Sequence, residues 1–183
     1  LIMGEMRTRG EAETLFEAVH TGHSVYATLH ADSAHQVLRR LIEPPIEIPP
    51  LEVESVDLVL VQFRDRRNNV RRTYEIAEIE GGTTGEQLGI TDIFRWSPRT
   101  DTFEKLAPPA RLVQKLNLHT GMSEKEIHDE LLDRILILDW LVKYDYGSMN
   151  DVGKVMREFY ANPDIVKNAA RQDTDPHHAF GDK

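Results

Sequence analysis

The apolar positions change their period along the chain, and each change marks an element. Leu1–Ile2–Met3 is an unbroken apolar run that reads as the end of a buried strand. From Gly10 to His20 the apolar residues Ala12, Leu15, Phe16 and Val19 recur at helical spacing, and Thr21–Gly22 supplies the stop. Ser24–Val25–Tyr26–Ala27–Thr28–Leu29 then reads as a second short strand. Strand, helix of about three turns, strand is the pattern of a right-handed crossover, so the two strands are expected to run parallel. Asp32 or Ser33 is placed to cap a further helix with the stripe Ala34, Val37, Leu38, Leu41 and Ile42, which Pro44–Pro45 ends. Pro49–Pro50 opens a short helical turn. Leu58–Val59–Leu60–Val61 is a continuous apolar run, consistent with a fully buried strand of the same sheet.

The pattern then alternates. Arg66–Arg67–Asn68–Asn69 is a polar turn, and with the run Val70 to Ile79 it predicts an antiparallel hairpin. Gly81 to Gly89 is expected to form a flexible loop. Ile93–Phe94–Arg95–Trp96 and Thr102–Phe103 form the arms of a second hairpin around Ser97–Asp101. From Pro108 onward the chain is helical. Pro109 starts a helix that Gly121 ends, and Ser123 with Glu126 is a capping box for a long helix through Ile127, Leu131, Ile135, Leu138 and Val142. Ser148 with Asp151 begins another, with Val152, Val155, Met156, Phe159 and Tyr160 on one face, and Asn162–Pro163 caps a last short helix. The tail 171–183 has no apolar period and is expected to lack structure. The expected organisation is α/β over residues 1–107, a helical subdomain over 108–170 and the tail.

Composition narrows the function. The 183 residues are 40% hydrophobic and 29% charged, the range of a soluble globular protein. The most apolar stretch, Ile135 to Val142, is too short to span a membrane and is broken by Asp139. There is no cysteine, which excludes disulfides and thiolate sites. A formal charge of −9, from 31 acidic against 22 basic residues, argues against nucleic-acid binding. With no secretory signal pattern, a cytoplasmic setting is expected.

Candidate chemistry gathers in the first 32 residues. Gly4–Glu5–Met6–Arg7 follows one strand and His30–Ala31–Asp32 follows the next. Ligands sit at the carboxyl ends of parallel strands, so Glu5 and His30 are expected on one edge. His23 lies at the other edge, roughly 23 Å away if seven extended residues of about 3.3 Å separate it from His30. A metal shared by His23 and His30 would need their nitrogens within about 4 Å, which the strand forbids. Each of His20, His23, His30 and His35 can otherwise be a hydrogen-bonded residue at a strand end. A carboxylate in the place of Glu5 can orient a water or hold a hydrated Mg²⁺ beside nucleotide phosphates, with Arg7 neutralising phosphate charge. The alternative is a surface Glu and Arg in a strand-to-helix turn.

Ile2–Met3–Gly4–Glu5–Met6–Arg7 together with Thr21–Gly22–His23–Ser24–Val25–Tyr26–Ala27–Thr28–Leu29–His30–Ala31–Asp32 resembles the second half of a secretion-superfamily ATPase. The first motif is similar to that family's atypical Walker B element and the second to its histidine box, in matching order and spacing. Leu58–Val59–Leu60–Val61–Gln62, Arg71 to Ile79 and Phe94–Arg95–Trp96 resemble the archaeal branch, which comprises archaellum motors and archaeal type II/IV secretion ATPases. The likeness extends to about Ala170.

The resemblance implies a partial RecA-like parallel sheet with an antiparallel β extension, followed by an α-helical subdomain. It implies ATP and Mg²⁺ as ligands, a hexameric homo-oligomer and a membrane platform protein as partner at the inner face of the membrane. By the same resemblance Glu5 is catalytic and meets Mg²⁺ through water, and His30 is catalytic near the terminal phosphate. Gly4, Arg7 and His23 belong to the nucleotide-binding set. No G-x-x-x-x-G-K-[ST] occurs in the chain. Its Gly153–Lys154 pair is followed by Val155, lacks a glycine five positions before Gly153 and sits in an amphipathic stretch. The family's acidic box is also absent, so the chain reads as the carboxyl-terminal half of a motor, inactive alone. The alternative is a non-catalytic interaction module using the helices from Pro108 to Ala170.

Overall fold

In a computed structural model of the chain, residues 1–66, 69–81 and 88–181 are described. They fall into two compact units, Leu1–Gln114 and a second that begins at Lys115. The class is α/β: a two-stranded parallel sheet, a four-stranded antiparallel sheet and helices.

The first unit opens with β1 (Ile2–Glu5), α1 (Arg9–His20) and β2 (Tyr26–Thr28). β1 and β2 are parallel, with Ile2 opposite Tyr26 and Met3 opposite Ala27. Thr8 caps α1 in a reciprocal box with Glu11, and the helix buries Ala12, Leu15 and Phe16. Ser33 caps α2 (Ala34–Ile42), which buries Ala34, Leu38 and Leu41. With α3 (Pro50–Val53), Ile46, Ile48, Val59, Val61, Ala77 and Ile79 these residues form one core. The expected burial of the first strand does not hold. Leu1 is 65% and Ile2 87% exposed. Parallel strands are ordinarily covered on both faces, and a pair of two has no third strand to hide these side chains.

The second sheet is a meander in the order β3 (Val59–Asp65), β4 (Val70–Glu80), β5 (Gly89–Ser97), β6 (Thr102–Lys105). The apolar run at Val59 therefore belongs to this sheet and not, as expected, to that of β1 and β2. It is also half-buried: Val59 and Val61 point into the core while Leu60 is 55% exposed. A four-residue apolar run fits either burial state, and the antiparallel pairing with β4 decides for alternation. Residues 67 and 68 of the first turn, and 82–87 of the expected flexible loop, lie outside the described residues.

Two carboxylates on β4 are buried. Glu75 accepts from the Ala34 N–H at 3.0 Å, and Glu78 accepts from the Arg111 and Leu112 N–H groups at 3.1 and 2.7 Å. Both thereby fill helix N-terminal donors, for α2 and for α4 (Ala110–Thr120). Arg111 also donates from its side chain to the Ile79 and Glu54 carbonyls. These bonds attach the first turn of α4 to β4, so the division between units falls inside α4, later than the expected boundary at 107/108.

In the second unit Ser123 and Glu126 form the expected capping box on α5 (Glu124–Lys143), and Ser148 caps α6 (Met149–Ala161). α7 (Pro163–Arg171) follows. The core consists of Ile137, Trp140, Leu141, Tyr146, Val155, Phe159, Val166 and Ala170. Of the stripe expected for α5 only Ile127 is buried. Residues 135–138 and 140–142 are apolar all round, so periodicity cannot choose the inward face. The tail, expected to lack structure, carries α8 (Pro176–Phe180), capped by Asp175. Trp140 donates to the Thr174 carbonyl at 2.8 Å and meets the Phe180 ring edge-on at 6.1 Å. Those contacts come from far along the chain, beyond the reach of a local pattern. Among the described residues no helix is long and apolar enough to cross a membrane.

Candidate functional site

The carboxyl ends of β1 and β2 meet at Glu5 and Thr28. The Met6 N–H donates to the Thr28 carbonyl at 2.9 Å, and the Thr28 hydroxyl donates to the Gly4 carbonyl. The register slips between Met3 and Glu5, and the space beside the Gly4 α-carbon is open. Glu5 is the centre of the cluster. One carboxylate oxygen accepts from the Arg7 guanidinium, and the other lies 3.1 Å from His30 Nε2. The Glu5 side chain is only 25% exposed, whereas Arg7 and His30 are 71% and 84% exposed. Two cation-capable groups thus face solvent around a recessed anion.

Electrostatics follow from the geometry. The hydrogen bond from Arg7 holds the Glu5 carboxyl below the ordinary range, burial opposes this, and the charges of Arg7 and His30 reinforce it. The same hydrogen bond raises Arg7. Glu5 is therefore a carboxylate and Arg7 a cation at neutral pH. The His30 turn is held from behind by α2: Arg40 donates to the His30 carbonyl, and Gln36 accepts from the Asp32 N–H at 2.6 Å.

His23 is not part of this cluster. Its N–H donates to the Ala18 carbonyl at 3.0 Å, and Nδ1 lies 3.2 Å from both that carbonyl and the Thr21 hydroxyl. With Gly22 at φ +89, where an L side chain is strained, these contacts close the carboxyl end of α1. The structure brings Glu5, Arg7 and His30 together beside Gly4 and puts His23 at the other end of β2. Arg40, Gln36 and Glu75 support the site and escaped sequence reasoning. Arg40 and Gln36 lie on the exposed side of a helix stripe, and Glu75 is read from the sequence as one more polar position in an alternating strand.

Among the described residues no three His, Cys, Asp or Glu side chains converge on one point. Mg²⁺ takes six oxygens in near-ideal octahedral geometry and keeps several waters. One ionised carboxylate flanked by Arg7 and His30 fits a contact to the water shell of such an ion, with phosphate oxygens filling other positions. The same carboxylate can accept a hydrogen bond from a water and orient it, while Arg7 and His30 can turn outward to anionic oxygens.

Residues 1–76, from β1 to just past Glu75, match the family model for type II/IV secretion system proteins. An uncharacterized protein of Methanocaldococcus jannaschii is 39% identical over 146 residues, 78% of this chain and 53% of its own length. A second from that organism is 30% identical over 161 residues, 83% of this chain and 29% of its own length. The type IV pilus assembly ATPase PilB of Pseudomonas aeruginosa is 32% identical over 79 residues, 42% of this chain and 14% of its own length. The chain spans about half the length of the first of these relatives and less than a third of the second. Through residues 1–76, the chain is similar to type II/IV secretion system proteins.

Proposed function

We propose that the chain forms the second half of the catalytic core, with its helical subdomain, of an ATP-hydrolysing motor for secretion or for assembly of a pilus or archaellum filament. The motor works as a hexamer on a membrane platform protein at the inner face of the membrane. The observation that supports this reading is the Glu5–Arg7–His30 cluster at the carboxyl ends of adjacent parallel strands, where α/β proteins bind ligands. Bound Mg²⁺ supplies charge neutralisation on the nucleotide phosphates. Glu5 orients the attacking water or holds the ion's water shell, and remains ionised for either task. Arg7 exchanges its bond to Glu5 for one to phosphate. His30, exposed and within reach of Glu5, reads the terminal phosphate. Gly4 leaves the edge open to the ligand, and His23 completes the set from the far end of β2 by fixing the histidine box.

These 183 residues hold no glycine-rich phosphate loop, whose backbone N–H groups and lysine make most phosphate contacts. Half of the site therefore comes from other residues, and the chain alone does not turn over ATP. The test is hydrolysis by the longer protein with Glu5→Gln, where loss of turnover supports the reading and unchanged turnover removes Glu5 from the chemistry.

A second reading, protein docking by the helical unit, is favoured by one observation. Ile135, Leu138 and Val142 on α5 are 53%, 55% and 79% exposed along one face. Substituting all three with serine separates the readings: a docking module loses its binding, while MgATP turnover by the longer protein stays if that face serves the fold alone.

A further inference from the structure

We infer that Glu75, a buried carboxylate on the antiparallel extension, is a positioning residue for His30: it ties β4 to the turn that presents His30 to Glu5. The inference rests on the reading of that edge as the nucleotide site. Glu75 is 3% exposed and sits on β4, opposite Val61 of β3 and Arg95 of β5. A carboxylate is costly to bury, and an apolar side chain would serve the surrounding core better unless the oxygen has a task. Its partner is the N–H of Ala34, the first residue of α2, itself fully buried and 41 positions away in sequence.

The side chains of the turn itself do not fill this donor. Ser33 already accepts from the Gln36 N–H, and the Gln36 side chain already accepts from the Asp32 N–H. The turn's own polar groups are thus engaged, and Glu75 adds the tie from outside. Two supports then meet at His30. Arg40 reaches from the body of α2 to the His30 carbonyl, and Glu75 holds the start of α2 to β4. On the other side, the ladder at Thr28 and Met6 fixes β2 against β1 and hence against Glu5. The 3.1 Å approach of His30 to Glu5 is therefore set jointly by the parallel pair and, through α2, by the antiparallel sheet. Any displacement of β4 is carried to His30.

The His30 imidazole signals in nuclear magnetic resonance spectra of the 183-residue chain report this approach directly. Glu5→Gln gives the spectrum of a His30 without its carboxylate. Glu75→Leu and Arg40→Ala are each expected to move the His30 signals most of the way to that spectrum, with the core methyls of Leu15 and Leu41 unchanged. Glu75→Gln, which keeps an acceptor oxygen at the same reach, is expected to stay near wild type. If Glu75→Leu does not fold, Ala34→Pro decides, since it removes the N–H that Glu75 accepts at a first helical position where proline is tolerated. His30 signals at their wild-type positions in the folded variants overturn the inference. In the longer protein, loss of positioning lowers kcat by roughly 10- to 100-fold with KM for MgATP unchanged. A turnover defect in His30→Ala without one in Glu75→Leu or Arg40→Ala refutes the positioning role alone. Wild-type turnover in His30→Ala refutes the reading of the site and leaves the spectral result standing.

Discussion

Replacing the two histidines of the box separately distinguishes a residue that faces the ligand edge from one that holds the scaffold. His30 is 84% exposed, and the contact its ring makes is the one to Glu5 at 3.1 Å. A contact this exposed adds little to stability. His23 has Nδ1 3.2 Å from the Ala18 carbonyl and from the Thr21 hydroxyl at the end of α1. Losing that bond costs about 1 kcal/mol, which for a chain of this size lowers Tm by about 2–4 °C. His23→Ala is therefore expected to lower Tm by that amount in scanning calorimetry while turnover of the longer protein keeps its value per folded molecule. His30→Ala is expected to hold Tm within about 2 °C and to lower turnover by about 10²-fold. Equal kinetic defects in both variants, with Tm unchanged in both, would refute the separation of the two histidines by a strand.

Asp101 is held at about 2, below its ordinary 3.8, by hydrogen bonds from Arg72 and then from Trp96. Because the folded value is the lower one, its contribution to stability is complete above 3.8 and is lost as pH falls through 2, so Asp101→Asn should flatten denaturant stability against pH in that window. Truncation after Asp173 removes the Thr174 carbonyl and Phe180 from Trp140, and is expected to red-shift tryptophan fluorescence and to cost about 1–3 kcal/mol in urea unfolding. An unshifted spectrum would contradict the docking of α8. Calorimetric titration of the 183-residue chain with MgATP should give a Kd no tighter than about 1 mM, and micromolar binding would reveal a second nucleotide site.

Much of the fold is legible because local rules act at the element ends. Ser123 and Ser148 cap where the sequence places them, Ser33 caps as one of the two candidates with Asp32, and the crossover through α1 makes β1 and β2 parallel. That Glu5 and His30 share one sheet edge follows from that crossover, whereas their 3.1 Å approach also depends on α2 and β4. What the sequence leaves hidden depends on contacts between distant residues. The pairing of β3 with β4, the inward face of α5 and the order of residues 174–180 are chosen by partners no window contains. The hydrogen bond of Glu75 to Ala34 spans 41 positions and carries no periodic signal. His23 could be separated from the site by counting strand residues, whereas its bond to Ala18 depends on the left-handed turn at Gly22.

Steady-state MgATP hydrolysis by the longer protein, wild type against Glu5→Gln, tests the central claim most directly. The amide keeps the size of the side chain and its place beside Arg7 and His30, and removes the charge that the Arg7 hydrogen bond stabilises. The account predicts unchanged MgATP binding and a turnover lower by roughly 10² to 10⁴. Turnover within a factor of about three of wild type, well short of that expected loss, would contradict it.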